Sequence, residues 1–215
     1  MFQIDRLIPN KKIENFVYDN AAEYIETTYE HGLVQSFKDS EFFDLLTPKL
    51  KNKLVFELLD SYYKKFYFFF NDIQEKVFAD DVFIRKILSS MHCQIFFPSV
   101  KVVEIGKEVF SIYFIYKGTI TVNAEGEEEL TCLPSGSFFG DYQILFDLKS
   151  NYEFMSTVED ETWCMTVPKD EFIEICEEFP QFHAFLTQRA LTRRNYFKLL
   201  DQKRKDKQVR QILKA

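Results

Sequence analysis

Cysteine and histidine are the residues best suited to ligate a metal or to share nucleophilic work, and here their spacing argues against both. Cys93, Cys132, Cys164 and Cys176 are scattered with no Cys-x-x-Cys pair, which speaks against a zinc site and a disulfide framework and for reduced thiols in a cytosolic setting. His31, His92 and His183 are too dispersed to join carboxylates in any recognised ligand spacing. There is no nucleophile–base pairing and no glycine-rich loop of the phosphate-transfer type. The chain is read as a non-enzyme with no metal.

Charge is the next source of chemistry. The net −7 hides an asymmetry: from Arg189 onward ten cations face only Asp201 and Asp206, a net +8, so the remainder carries −15. A basic tail on an acidic body suits anionic lipid, calmodulin or the body itself, and it also fits a plain solvated helix face. The 25 phenylalanines and 11 tyrosines supply ample core area and raise the prospect of a subunit interface. A codon or lineage bias would give the same composition. The longest apolar run, Phe66 to Phe70, is far short of the ~20 residues that span a bilayer. The first residues, Met1 to Arg6, lack the pattern of a secretory signal.

These residues must be carried by elements, and the periodicity gives three blocks. From about Asn10 to Met91 apolar residues recur at helical steps: Ile13, Phe16, Val17, Ala21, Tyr24, Ile25 and Thr28, closed by Gly32. Further helices are expected from Lys38, from Thr47-Pro48 with its first-turn proline, over about Ser61–Phe70 and over Asp80–Ser90. Near Gln94 the pattern becomes short and β-branched. Strands are expected at 95–98, 101–105, 112–116, 119–122, 130–133, 152–158 and 162–167, punctuated by Gly106, Gly118, Gly126 and Gly136. Such spacing predicts a barrel or jelly roll. After Val167 come two helices, one from a first-turn Pro168 through Phe172 and Cys176, the other after Pro180 with a stripe at Phe182, Phe185, Leu186, Ala190, Phe197 and Leu200. The expected class is α+β: an N-terminal helical linker, a jelly-roll-like antiparallel β-roll and C-terminal lid helices.

This order, with particular motifs, resembles the C-linker plus cyclic-nucleotide-binding domain of voltage-gated-type cation channels, the hyperpolarisation-activated, cyclic-nucleotide-gated and ether-à-go-go families. The motifs are Ile112 to Gly118, Leu133 to Asp141, Pro168 to Phe172 and Glu177 to Pro180, with Tyr24-Ile25-Glu26 and Leu45 to Leu50 upstream. The similarity covers nearly the whole chain and divides it into a linker, 1–79, and a β-roll with its flanking helices, 80–215. Transcription regulators share the roll but need a helix-turn-helix beyond the long helix, where only about 20 residues remain, so no nucleic-acid partner is expected. Cupin enzymes need histidines inside the barrel, and none lies between Gln94 and Val167.

In ligand-binding relatives, backbone amides at a short helix hold the cyclic phosphate, a glutamate takes the ribose hydroxyl and an arginine pairs with the phosphate. The resemblance places Phe139, Gly140, Asp141 and Tyr142 at the first part of that pocket, with Asp141 in the glutamate's place. Phe154, Met155, Ser156 and Thr157 align with the second part, which puts Phe154 where the arginine stands. Losing that contact costs ~2–5 kcal/mol, enough to move a micromolar site towards millimolar. Lys149 swinging in as a substitute cation is one outcome. Phe154 and Tyr152 filling the cavity, or simply packing the core, are others. Arg193 and Arg194 fall where the lid meets the purine in nucleotide-gated relatives, or else face solvent.

The resemblance therefore implies a cytosolic regulatory and assembly module of a tetrameric cation channel, with potassium as the expected ion and the pore upstream. It binds cAMP or cGMP weakly or not at all. The alternative it leaves open is a true second-messenger receptor.

Overall fold

The computed structural model describes residues 45–70, 81–126 and 129–212. The chain divides into two compact units, Met1–Leu45 and Leu46–Ala215. The expected helices between Asn10 and Glu41 lie outside the described residues.

The second unit opens on helix α1, Pro48–Leu58. Its first-turn proline sacrifices only an amide that has no partner in a helix, and Lys51 N closes the first turn onto Thr47 O at 2.9 Å. Helix α2, Asp60–Lys65, carries Asp60 in its first turn and Lys64 and Lys65 in its last, matching the helix dipole at both ends. A further helical turn covers 67–70. Tyr62, Phe66, Phe69 and Phe70 are fully buried while Phe68 is exposed, because positions four, seven and eight residues on from Tyr62 share its face.

That face lies on the β-roll. Phe66, Phe69 and Phe70 surround Phe114 at centroid distances of 5.2, 4.9 and 6.5 Å, and Tyr62 meets Tyr116 at 5.8 Å. Each buried ring is worth roughly 2–3 kcal/mol from area alone. This part of the aromatic surplus is spent inside the chain's own core.

Helix α3, Asp81–Ser89, leads into eight strands: β1 His92–Phe96, β2 Lys101–Val103, β3 Ser111–Lys117, β4 Thr119–Asn123, β5 Glu129–Pro134, β6 Phe138–Phe139, β7 Glu153–Ser156 and β8 Thr162–Pro168. They form two four-stranded sheets, β1-β8-β3-β6 and β2-β7-β4-β5, with every pairing antiparallel. Helix α4, Asp141–Leu145, interrupts the strands. Helices α5, Lys169–Glu178, and α6, Pro180–Ile212, follow them. The architecture is α+β, a jelly-roll-like β-roll closed by a long C-terminal helix, as the sequence pattern predicts.

Several bounds differ from the sequence expectation: β2 stops at Val103 instead of 105, and β7 covers only Glu153–Ser156 of the expected 152–158. Strand β1 begins at His92 and stops at Phe96, because Ser99 takes a left-handed turn (φ 62°) just beyond Pro98. Strand β6 is only Phe138–Phe139, too short to leave a period. Pro168 ends β8 with extended backbone (φ −57°, ψ 145°) and caps α5 from outside instead of starting its first turn.

Helix α3 is held by α5 and α6. Phe83 stacks on Phe182 at 4.4 Å and meets Phe179 edge-on at 5.7 Å, and Lys86 pairs with Glu178. Helix α6 buries Phe182, Leu186, Ala190 and Phe197, a stripe with steps of four, four and seven residues that keeps one side of a long helix against the roll.

Candidate functional site

The site is made where β6 runs into α4 and α6 crosses above them. Gly140 is the pivot. Its φ of 95° lies in the left-handed region, and a Cβ built there would stand 2.6 Å from Ser111 O, so no side chain fits. This turn carries Asp141 into the interior, where it is only 4% exposed. Ile144 N donates to Gly140 O at 3.2 Å and begins the short helix.

Arg193 answers that buried carboxylate. Its Nη1 lies 3.3 Å from Asp141 Oδ1 and donates to Phe138 O at 2.8 Å, while its guanidinium sits 3.5 Å from the centre of the Phe138 ring. One side chain of α6 thus combines an ion pair, a backbone hydrogen bond and a cation–π contact. One turn earlier, Arg189 donates to Phe69 O at 2.9 Å and Phe68 O at 2.8 Å, so α6 also grips the turn at 67–70.

Aromatic side chains fill the rest. Phe154, fully buried on β7, stacks on Phe139 with centroids 4.5 Å apart and planes 8° from parallel. Phe197 of α6 enters from above, 6.4 Å from Phe154, 5.6 Å from Tyr152 and 6.2 Å from Tyr142. Tyr142 is 1% exposed. Its hydroxyl has no hydrogen-bond partner among the described residues, and burial holds its pKa well above the phenol range, aided by Tyr152 and Asp141 and opposed by Arg194 and Arg193.

The segment after α4 is tied down by Ser150. Its Oγ donates to Tyr152 O at 2.6 Å and accepts from Gln143 Nε2 at 3.4 Å, and its backbone closes onto Gly106 and Lys107. Lys149 is exposed beside it. Arg194 places its guanidinium 5.9 Å from the Phe146 ring.

Phe139, Gly140, Asp141, Tyr142, Phe154 and Arg193 therefore converge, with Arg194 at the margin. Met155 and Ser156 complete β7, and Thr157 lies just beyond it. Ser156 Oγ donates to Phe97 O at 2.6 Å and accepts from Val100 N at 2.9 Å. Thr157 joins Ser99 and Thr119 through its backbone. In the sequence, Phe197 is one apolar residue of a helical stripe, Arg189 one cation of the basic tail and Phe138 one position of the Leu133–Asp141 motif, and none of the three stands out as part of a site. The one signal available was a basic residue at 189 and 193, four apart, flanking the stripe.

The arrangement is a β-roll cleft with a glycine-hinged short helix, a buried acid and a lid helix closed upon it. No family model matches the chain. Over 117 residues, 54% of this chain and 9% of the relative, it is 28% identical to potassium/sodium hyperpolarization-activated cyclic nucleotide-gated channel 4 of Homo sapiens. Over 104 residues, 47% of this chain, it is 31% identical to channel 3 of Homo sapiens, covering 13% of that protein, and 28% identical to channel 2 of Mus musculus, covering 12%. The chain spans about a tenth of the length of these curated relatives. About half of it is similar to part of channels named for cyclic-nucleotide gating. Among the described residues no helix is long and apolar enough to cross a membrane.

Proposed function

We propose that this chain is the regulatory and assembly module of a tetrameric cation channel, selective for potassium, in which the cyclic-nucleotide cleft is occupied by the protein itself. Residues 1–79 act as the linker to an upstream pore at the cytoplasmic face of a membrane and assemble the tetramer. Residues 80–215 form the responding β-roll. The basic C-terminal helix is the part suited to anionic lipid or calmodulin.

One observation carries the reading: Phe154 stands on β7 where the resemblance expects an arginine, and it is sealed between Phe139 and Phe197. A cyclic phosphate entering there would meet aromatic carbon in place of a fixed cation. It would also have to displace Phe197 and part Arg193 from Asp141. Both requirements subtract from affinity, since a site populated only when opened binds more weakly by the fraction open.

Calorimetric titration with cAMP and cGMP tests this. The expected result is no heat of binding and no thermal shift up to about 1 mM ligand, because a ligand that binds only the native state must raise its melting temperature. Micromolar binding of either nucleotide would establish the second reading, a true receptor. That reading is favoured by the Phe139-Gly140 turn, by Asp141 as an acceptor in the glutamate's place and by the names of the similar channels.

A further inference from the structure

The two ends of strand β4 differ in character. At the Thr119 end, the loop 97–100 and the turn after β7 form one tip. Ser99 N donates to Thr157 O and Thr157 N to Thr119 O, while Ser156 Oγ holds both ends of the 97–100 loop. Phe97, Val100 and Val158 are 66, 38 and 72% exposed on this tip. Exposed apolar residues grouped on a hydrogen-bonded loop pair mark a contact surface more often than scattered ones do.

The tip is rimmed by Glu159, Asp160 and Glu161. No ion pair among the described residues engages these acids. The nearest cations along the strands are committed elsewhere: Lys101 pairs with Glu153 at 2.7 Å, and Lys117 lies over the Trp163 ring at 5.1 Å.

The other end of β4 meets the basic half of α6. Phe197 lies against Phe154, whose cross-strand partner is Val122. Two turns later, Arg204 Nη1 donates to Glu125 O at 3.4 Å. Helix α6 thus advances in the same sense as β4, from Val122 towards Glu125. Its later residues run away from the acidic tip, with β4 alone, Thr119 to Asn123, setting about 13 Å between the two ends. Here Lys203, Lys207 and Arg210 are exposed, with Val209 between them 55% exposed, and Asp206 is the one acid from 203 to 210.

We propose that the acidic apolar tip, Phe97–Val100 with Val158–Glu161, docks the basic C-terminal half of α6 from a second copy of this chain. Complementary charge and apolar residues on both surfaces commit the tip to this occupant, and the opposite placement of the two surfaces forbids the contact within one rigid unit. The contact is head to tail, so copies related by it close into a ring or continue as a chain. It does not depend on the nucleotide reading or on linker-mediated assembly.

The test is sedimentation equilibrium of the full chain at low and high salt, on three proteins. Wild type is expected to show an association that weakens at least about tenfold between roughly 50 and 500 mM salt. Glu159→Lys with Asp160→Lys, and separately Lys203→Glu with Lys207→Glu, are each expected to abolish that salt-sensitive association. All four positions are exposed, and unchanged melting temperatures check that both variants fold. Mixing the two variants is expected to restore association, because each reversed surface then faces its complement. Association of either variant equal to wild type, failure of the mixture to associate, or wild type without a salt-sensitive phase would overturn the proposal. So would a photo-cross-linker at Val158 that lands on residues 1–44 of its own chain and not on α6. A tetramer held by the linker would persist in every variant, so its presence or absence is read separately.

Discussion

Arg193 and Asp141 face each other at 3.3 Å across the seam between the lid helix and the short helix behind Gly140. The acid is buried, and the base covers the Phe138 ring while donating to that residue's carbonyl. In a cleft able to open for a ligand, an acid at this position would be left for that ligand. Here α6 already satisfies it, so opening the lid exposes a desolvated carboxylate and strands a guanidinium at once.

Arg193→Met should therefore destabilise the fold by about 3 kcal/mol, since breaking one side of a buried pair leaves the other charge uncompensated. Asp141→Asn made in that background should recover part of the loss. A double-mutant cycle by urea unfolding should give a coupling of about 1–3 kcal/mol between the two positions. A coupling near zero would mean that the pair is incidental to lid closure.

Phe197→Ala empties the centre of the aromatic cluster and should cost about 3–5 kcal/mol, a large share of the stability of a typical domain. Amide exchange is the informative companion measurement. Residues 193–200 and the α4 segment should lose protection together. If only the helix end were affected, Phe197 would not be what holds the lid.

The proposed self-occupied cleft can be challenged by placing a cation at position 154. Phe154→Arg alone should bind no nucleotide and should lower stability, because it buries a guanidinium between Phe139 and Phe197. Combined with Phe197→Ala, the same arginine gains room and solvent. Cyclic AMP at about 1 mM should then raise the melting temperature of the double variant and leave wild type unmoved. Equal shifts in both proteins would contradict the self-occupied cleft.

Gly140→Ala should cost about 2 kcal/mol or more, since it adds a steric clash to an unfavourable backbone angle. Gly106 supplies the control: it has a similar φ of 78° but nothing within 4 Å of its built Cβ. Its alanine variant should lose about 1 kcal/mol, the backbone term alone. The difference in urea midpoints between the two variants isolates the close approach of Ser111 O.

Two buried thiols predict alkaline weakening. Burial pushes the Cys176 thiol up to about 12 and raises that of Cys164 as well. An unfolded thiol ionises near ~8.5, so from there upward the folded state binds more protons than the unfolded state, and stability falls as pH rises. The slope contributed by each thiol reaches up to ~1.4 kcal/mol per pH unit. Unfolding free energies measured between pH 8 and 10 should fall less steeply in a Cys164→Ala/Cys176→Ala protein. Cys132, exposed on β5, should react with a thiol reagent without unfolding, while Cys164 and Cys176 should wait for it.

The order of elements is legible in the sequence. A switch from helical to alternating period near Gln94, regular glycine punctuation and a second switch after Val167 are local signals, and local signals survive in a linear string. The strand edges were less legible. Where β1 stops depends on the turn at Ser99, and β6 exists only because two residues pair with Tyr113 and Phe114 across the sheet. The aromatic run at 62–70 was ambiguous for the same reason. A stripe states that a face must be buried, and only the position of Phe114 states against what.

The residues of the cleft divide along the same line. Gly140 with Asp141, and the phenylalanine in the expected arginine's place, could be picked out from motif position. Phe197 could not: it is one more apolar residue on a long helix until α6 is laid across the roll and its ring drops between Tyr142, Tyr152 and Phe154. Nor does any spacing say that Arg193 reaches Asp141, 52 residues away. Composition and periodicity set what each segment must bury, because side-chain transfer from water is a property of the residue. Which groups meet inside is decided by the angle at which α6 crosses two sheets, and that angle exists only once the whole unit has packed.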